Sequence, residues 1–131
     1  SGVSIELQKK DKGLTALGVP YSTDIAKDLV NYYADKWDVS PRVMWNVVTC
    51  ENKGLNPIVQ SGHKYKADSS RWGVTAGQQE LSFGLVQIHL PDNPDVSYRE
   101  AIDPDFSLNF LAQALSKGKG RMWTCYRLVS N

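Results

Sequence analysis

"SPRVMWNVVTCENKGLNP", residues 40–57, opens with the signals of a helix start and closes with those of a helix stop. Ser40 offers a side-chain oxygen to the first unpaired amides, and Pro41 takes the first helical position, where its missing N–H removes no bond. Val43, Val47, Val48 and Glu51 then share one face, because residues three and four apart are neighbours on a helix. Gly54 and Pro57 stop the run. A carboxyl group therefore ends an apolar stripe. Desolvation by the valines and the unsatisfied carbonyls of the last turn both favour its neutral form, raising the pKa toward the range of a general acid. The alternative is a solvated glutamate paired with Lys53, since helix ends fray and long side chains reach water.

Working outward, "YSTDIAKDLVNYYADKW" (21–37) has Ser22 or Thr23 as N-cap and Ile25, Leu29, Val30, Tyr33 and Trp37 at helical spacing. This is a second amphipathic helix. Residues 1–20 read as a polar leader. On the other side, Asn56 to Glu80 is polar and Gly-rich with no sustained period, which predicts a long loop or a small hairpin of functional importance. "LSFGLVQIHLPDNP" (81–94) is a short apolar run that fits strand or buried helix equally. Ser97 and Glu100 form a capping box, and Asp103 and Pro104 start a further helix with Phe106, Phe110, Leu111 and Leu115 on one face and Gly118 at its end. "RMWTCYRLV" (121–129) reads as helical. The expectation is a mainly α single domain spanning residues 1–131.

A chain of 131 residues has the length of one domain and can bury a sizeable core. Its formal charge of +1 argues against a polyanion held by electrostatics, so nucleic acid is not an expected partner. No apolar stretch is long enough to span a bilayer, and "SGVSIELQKK" lacks the regions of a secretory signal. Ser1 and Gly2 read as a cleavage scar, in which case a targeting segment has been removed. Cys50 and Cys125 lie too far apart in sequence for the CxxC pairs of zinc or redox sites. Neither a metal nor another cofactor is expected. The cysteines are either two buried thiols or a bridge closing a long loop, and the bridge implies an oxidising compartment.

"CENKGLNP" followed, after the irregular insertion, by "SFGLVQIHLP" resembles the paired motifs of the soluble lytic transglycosylase family, within the lysozyme-like superfamily. That family ends a helix on Glu in an "ESxxNP"-like string and follows it with "GLxQ". Glu51, Asn56 and Pro57 match the first, with Asn52 where Ser is usual and one extra residue before Asn56. Gly84, Leu85 and Gln87 match the second, with Val86 where Met is common. The resemblance covers about residues 24 to 126. It implies a lysozyme-like fold with a substrate cleft and a long irregular or small β insertion. It also implies cleavage of the β-1,4 bond between N-acetylmuramic acid and N-acetylglucosamine in peptidoglycan glycan strands, by a monomer outside the cytoplasm.

Carried onto this chain, the family chemistry puts both roles on Glu51: acid toward the leaving oxygen, then base toward the muramic 6-hydroxyl, yielding a 1,6-anhydro product. A rival is hydrolysis with a second carboxylate, for which Glu80 is the best placed by sequence, ahead of Asp68 and Asp92. A further rival is a fold that grips glycan without cutting it. The resemblance also implies Ser82 and Gln87 as hydrogen-bonding walls, the backbone at Gly84 as a close approach to sugar, and Tyr126 as the cleft tyrosine, although Arg127 follows it where the family has Asn. Tyr65 and Trp72 are candidates for ring stacking, Trp37, Trp45 and Trp123 for the core, and His89 for the cleft edge. With "TCE" and "TCY" both flanking one cleft, a Cys50–Cys125 bridge becomes the favoured state of the cysteines.

Overall fold

The structure is a computed structural model, and it describes residues 21–129. The leader at 1–20 and the features read at Ser1 and Gly2 lie outside the described residues.

Helix α1, Thr23–Trp37, starts where the Ser22 side chain accepts from the Ile25 amide at 3.2 Å, and it buries Ala26, Leu29, Val30, Tyr33 and Ala34. That spacing of three and four is what an amphipathic helix turns inward. Helix α2, Pro41–Glu51, is capped by Ser40 and buries Met44, Val47 and Val48. It stops at Asn52, before the expected breakers. The Asn52 amide still donates to the Val48 carbonyl at 2.8 Å, but its backbone has left the helical region. Its buried side chain donates to the carbonyls of Asn56 (2.7 Å) and Gly84 (3.2 Å) and accepts from the Asn56 amide. One asparagine thus ties the end of α2 to the second motif.

The insertion is a hairpin-like ribbon. Isolated bridges join Ser69 to Val74, Lys64 to Gln79 and Gln60 to Phe83. The run at 81–94, which sequence could not assign, is a two-stranded antiparallel sheet, with β1 at Ser82–Phe83 and β2 at Ile88–His89, Ser82 facing His89 and Phe83 facing Ile88. Leu85 and Val86, in the turn between them, are buried in the main core. Gly84 and Gln87 bracket that turn with φ of 86° and 54°.

Gly84 is a correction to the sequence reading. Its amide donates to the Val59 carbonyl and its carbonyl accepts from Asn52 and Gln87, so its backbone polar groups are already used. A Cβ there would lie 2.1 Å from the Ala101 carbonyl oxygen, so the close approach that demands glycine is to the chain itself, not to a sugar. Gly84→Ala is expected to cost about 3 kcal/mol through the backbone clash and the left-handed φ, measurable as a lower midpoint in urea. An unchanged midpoint would reject this account.

Helix α3, Tyr98–Ala101, carries the expected reciprocal cap of Ser97 and Glu100, and α4, Pro104–Ser116, starts on Asp103. The inner face of α4 keeps the predicted Leu111 and adds three residues that the pattern did not mark. Ser107, Leu108, Leu111 and Ala112 are fully buried, whereas Phe106, Phe110 and Leu115 are only partly so. Small residues let α4 approach closely, and the Ser107 hydroxyl is satisfied by the Ala101 carbonyl at 2.7 Å. Tyr33 and Trp37 of α1 donate to Asp105 and Asn109 of α4 at 2.5 and 2.8 Å. The predicted C-terminal helix divides into a short 3-10 turn, Gly120–Met122, and α5, Thr124–Val129. Trp123 is buried between them and donates its indole N–H to the Val86 carbonyl at 2.7 Å, while Trp37 and Trp45 are partly buried against the core. The result is a mainly helical fold with a small sheet. No described helix is long and apolar enough to cross a membrane.

Candidate active site

Cys50 and Cys125 are disulfide-bonded, with Cα atoms 5.9 Å apart, and the bridge joins the last turn of α2 to α5. Beside it opens a cavity of about 800 Å³. One wall comes from the end of α2 and from Met122, Trp123, Thr124, Cys125 and Leu128 around α5; the other comes from the insertion and the sheet. Glu51, the final residue of α2, faces this space.

Burial pushes the Glu51 carboxyl up from 4.5 to about 7, the negative charge of Glu80 adds to the rise, and a hydrogen bond from the Cys125 backbone opposes it. The sequence reading anticipated the direction and the leading cause. It named the helix end as the second cause, whereas the structure supplies a second carboxylate. Glu80 lines the same cavity. Its amide donates to the His63 carbonyl at 2.9 Å, its own carbonyl accepts from Gln60 at 3.1 Å, and its carboxylate accepts from the Ser82 hydroxyl at 2.8 Å. The His63 backbone and the side chains of Gln60 and Ser82 thus hold Glu80 in the cavity wall.

The other two carboxylates separate clearly. Asp68 accepts from the Ala76 amide at 2.7 Å and stays out of the cavity wall, serving the ribbon turn instead. Asp92 reaches the cavity, but it is fully engaged. Its Oδ1 accepts from Trp72 Nε1 (2.7 Å) and Arg71 (3.2 Å), and its Oδ2 lies 2.9 Å from His89 Nδ1. Partial burial pulls its pKa up, yet the bonds from His89 and Trp72 outweigh that, and the net shift is downward. Asp92 remains ionised where Glu51 is protonated.

Of the proposed wall residues, Ser82, Gln87 and His89 line the cavity. The hydroxyl of Ser82 is spent on Glu80, and the Gln87 amide donates to the Val59 and Gly84 carbonyls at 3.1 and 3.0 Å. Both therefore shape the wall as well as face it. Tyr126 is a second correction. It lies outside the cavity wall and packs its ring on Gly120, where a Cβ would come within 2.7 Å of the ring. Cys125 lines the cavity and Tyr126, the next residue of α5, is turned toward Gly120 instead. Tyr65 and Trp72 do line it, with ring centroids 5.8 Å apart.

Sequence reasoning missed Asn52, whose signal was an amide side chain at a helix end followed by Asn-Pro. It also missed an apolar lip: Val59, Met122 and Leu128 line the cavity while 37%, 53% and 72% exposed. No local pattern marks residues that come together from opposite walls. Among the described residues no group of three or more His, Cys, Asp or Glu side chains could hold a metal ion. Comparison with family models, curated proteins and solved structures returned no match, and the chemistry of the site is accordingly read from its own geometry.

Proposed function

We propose that this protein is a peptidoglycan lytic transglycosylase of lysozyme-like architecture, cleaving the β-1,4 bond between N-acetylmuramic acid and N-acetylglucosamine. The observation that carries the reading is Glu51: a carboxyl group held protonated up to about pH 7 in a cavity of saccharide size. Glu51 donates its proton to the glycosidic oxygen as the bond to C1 breaks. The resulting carboxylate then takes the proton of the muramic 6-hydroxyl as that oxygen closes on C1, which restores the acid and leaves a 1,6-anhydro ring. One group serves both steps because its pKa lies between those of a strong acid and a strong base. The disulfide suits an extracytoplasmic setting, where this polymer is found.

A second reading has a specific observation in its favour. Glu80 is close enough for its charge to act on Glu51, as a base activating water or stabilising a cationic sugar must be. Mass analysis of products released from purified cell walls separates the two. We expect muropeptides lighter by one water than those with reducing ends. Reducing ends alone would replace transglycosylation with hydrolysis by Glu51 and Glu80, and wall binding without any release would leave only a glycan-gripping module.

A further inference from the structure

Four cavity-lining side chains on the insertion wall, Tyr65, Trp72, His89 and Asp92, form a cluster that the chemistry at Glu51 does not use. Its polar atoms are matched to one another. Asp92 holds the Trp72 indole N–H at 2.7 Å and the His89 Nδ1 at 2.9 Å, and Arg71 closes on the same carboxylate at 3.2 Å. His89 Nε2 lies 2.7 Å from the Tyr65 hydroxyl oxygen, which also accepts from the Leu81 amide at 3.1 Å. His89 thus has a hydrogen-bond partner at each ring nitrogen, the Asp92 carboxylate at Nδ1 and the Tyr65 hydroxyl at Nε2. Every nitrogen and oxygen of the cluster then has a partner, and none is left to exchange a proton with a substrate. What the cluster has to offer a ligand is ring surface.

Those rings are fixed. Trp72 and His89 meet at 80° with centroids 4.7 Å apart, Tyr65 lies 5.9 Å from His89, and the Arg71 guanidinium is 5.7 Å from the Trp72 ring centre. Trp72 sits in the tight turn closed by the Ser69 and Val74 bridge, so Asp92 is what connects this turn to the sheet. The charges around the cavity are mixed, with Lys53 on one wall, the Arg71–Asp92 pair on the other and Glu51 protonated, so shape rather than charge fits the ligand: a pyranose offers C–H faces to the rings and hydroxyl edges to the polar walls.

We infer that Trp72 and His89, positioned by Asp92, form a stacking subsite for a pyranose on the insertion wall, distinct from the Glu51 acid. The inference rests on the glycan reading proposed above. Its test is titration of Glu51→Gln protein, which does not consume the ligand, with the trimer of N-acetylglucosamine, followed by calorimetry and by the Trp72 indole and His89 ring resonances in NMR spectra. The Trp72 and His89 resonances shift on binding; Trp72→Ala weakens the trimer by about tenfold, as loss of an aromatic contact of this size implies. Trp72→Phe, which keeps a ring but loses the bond to Asp92, restores part of that loss, and Asp92→Asn weakens binding to a similar extent as Trp72→Phe. Unmoved resonances on trimer binding, or equal affinity in folded Trp72→Ala, overturn the subsite and leave the cleavage proposal standing. Wall cleavage by the unmodified protein with no trimer binding also removes the subsite alone, whereas absence of both cleavage and binding removes both proposals.

Discussion

Glu51→Gln is expected to lower glycan cleavage by about 10²–10⁴-fold, the usual contribution of a positioned general acid and base, while the protein keeps its fold. The amide has the shape of the acid and cannot deliver a proton. The unmodified protein should lose kcat/KM as pH rises through about 7, because Glu51 ionises there. Glu80→Gln should move that limb to lower pH by removing the charge that helps keep Glu51 protonated, with burial's larger share left in place. Stability supplies an independent readout. A carboxyl whose folded pKa is raised contributes stability that is complete below 4.5 and is lost as pH rises through about 7, since the folded state then holds a proton the unfolded chain has released. Glu51→Gln removes that loss, so the variant should exceed the parent at pH 8 by about 1–2 kcal/mol, after allowance for screening of a partly exposed group. Equal midpoints at pH 8, together with retained lysis, would remove Glu51 as the acid.

Replacing both Cys50 and Cys125 by serine should cost about 4 kcal/mol, because the bridge closes a long loop and restrains the unfolded chain. For a chain of this length that corresponds to a thermal midpoint lower by roughly 10–20 °C. The two cysteines are 75 residues apart in sequence, and α5, which carries one of them, is only six residues long. A helix so short has little stability of its own, so its place on α2 depends on the bridge and on packing around Trp123. Activity should fall with it. The Cys125 backbone bonds to Glu51 and holds its pKa down, so loosening α5 should raise the basic limb of the pH profile as well as lower kcat. Thermal unfolding of the double variant and of reductant-treated parent should agree. A midpoint within about three degrees of the oxidised parent, the scatter usual for surface substitutions, would show that the bridge carries no such load.

The starts of α1, α2, α3 and α4 were legible in the sequence because each is set by contacts within a turn: Ser22, Ser40, Ser97 and Asp103 cap amides two or three residues on. Glu51 was legible for the same reason, since its apolar neighbours lie one turn back on its own helix. The inner face of α4 was legible only at Leu111, because the hydrogen bond of Ser107 to the Ala101 carbonyl, a contact with another element, turns Ser107 inward and leaves the larger Phe106 and Phe110 partly exposed.

By itself, then, the sequence determined where helices begin and that an acid closes one of them. Tertiary structure alone decided that Cys50 meets Cys125, that Glu80 charges the space in front of Glu51, that Asn52 ties to Gly84, and that Tyr126 turns away while Asp92 gathers Trp72 and His89. The physical reason is range. Capping and periodicity act over three or four residues and leave a pattern in the chain, whereas desolvation, charge pairing and ring packing depend on partners tens of residues distant, which only the closed core brings together.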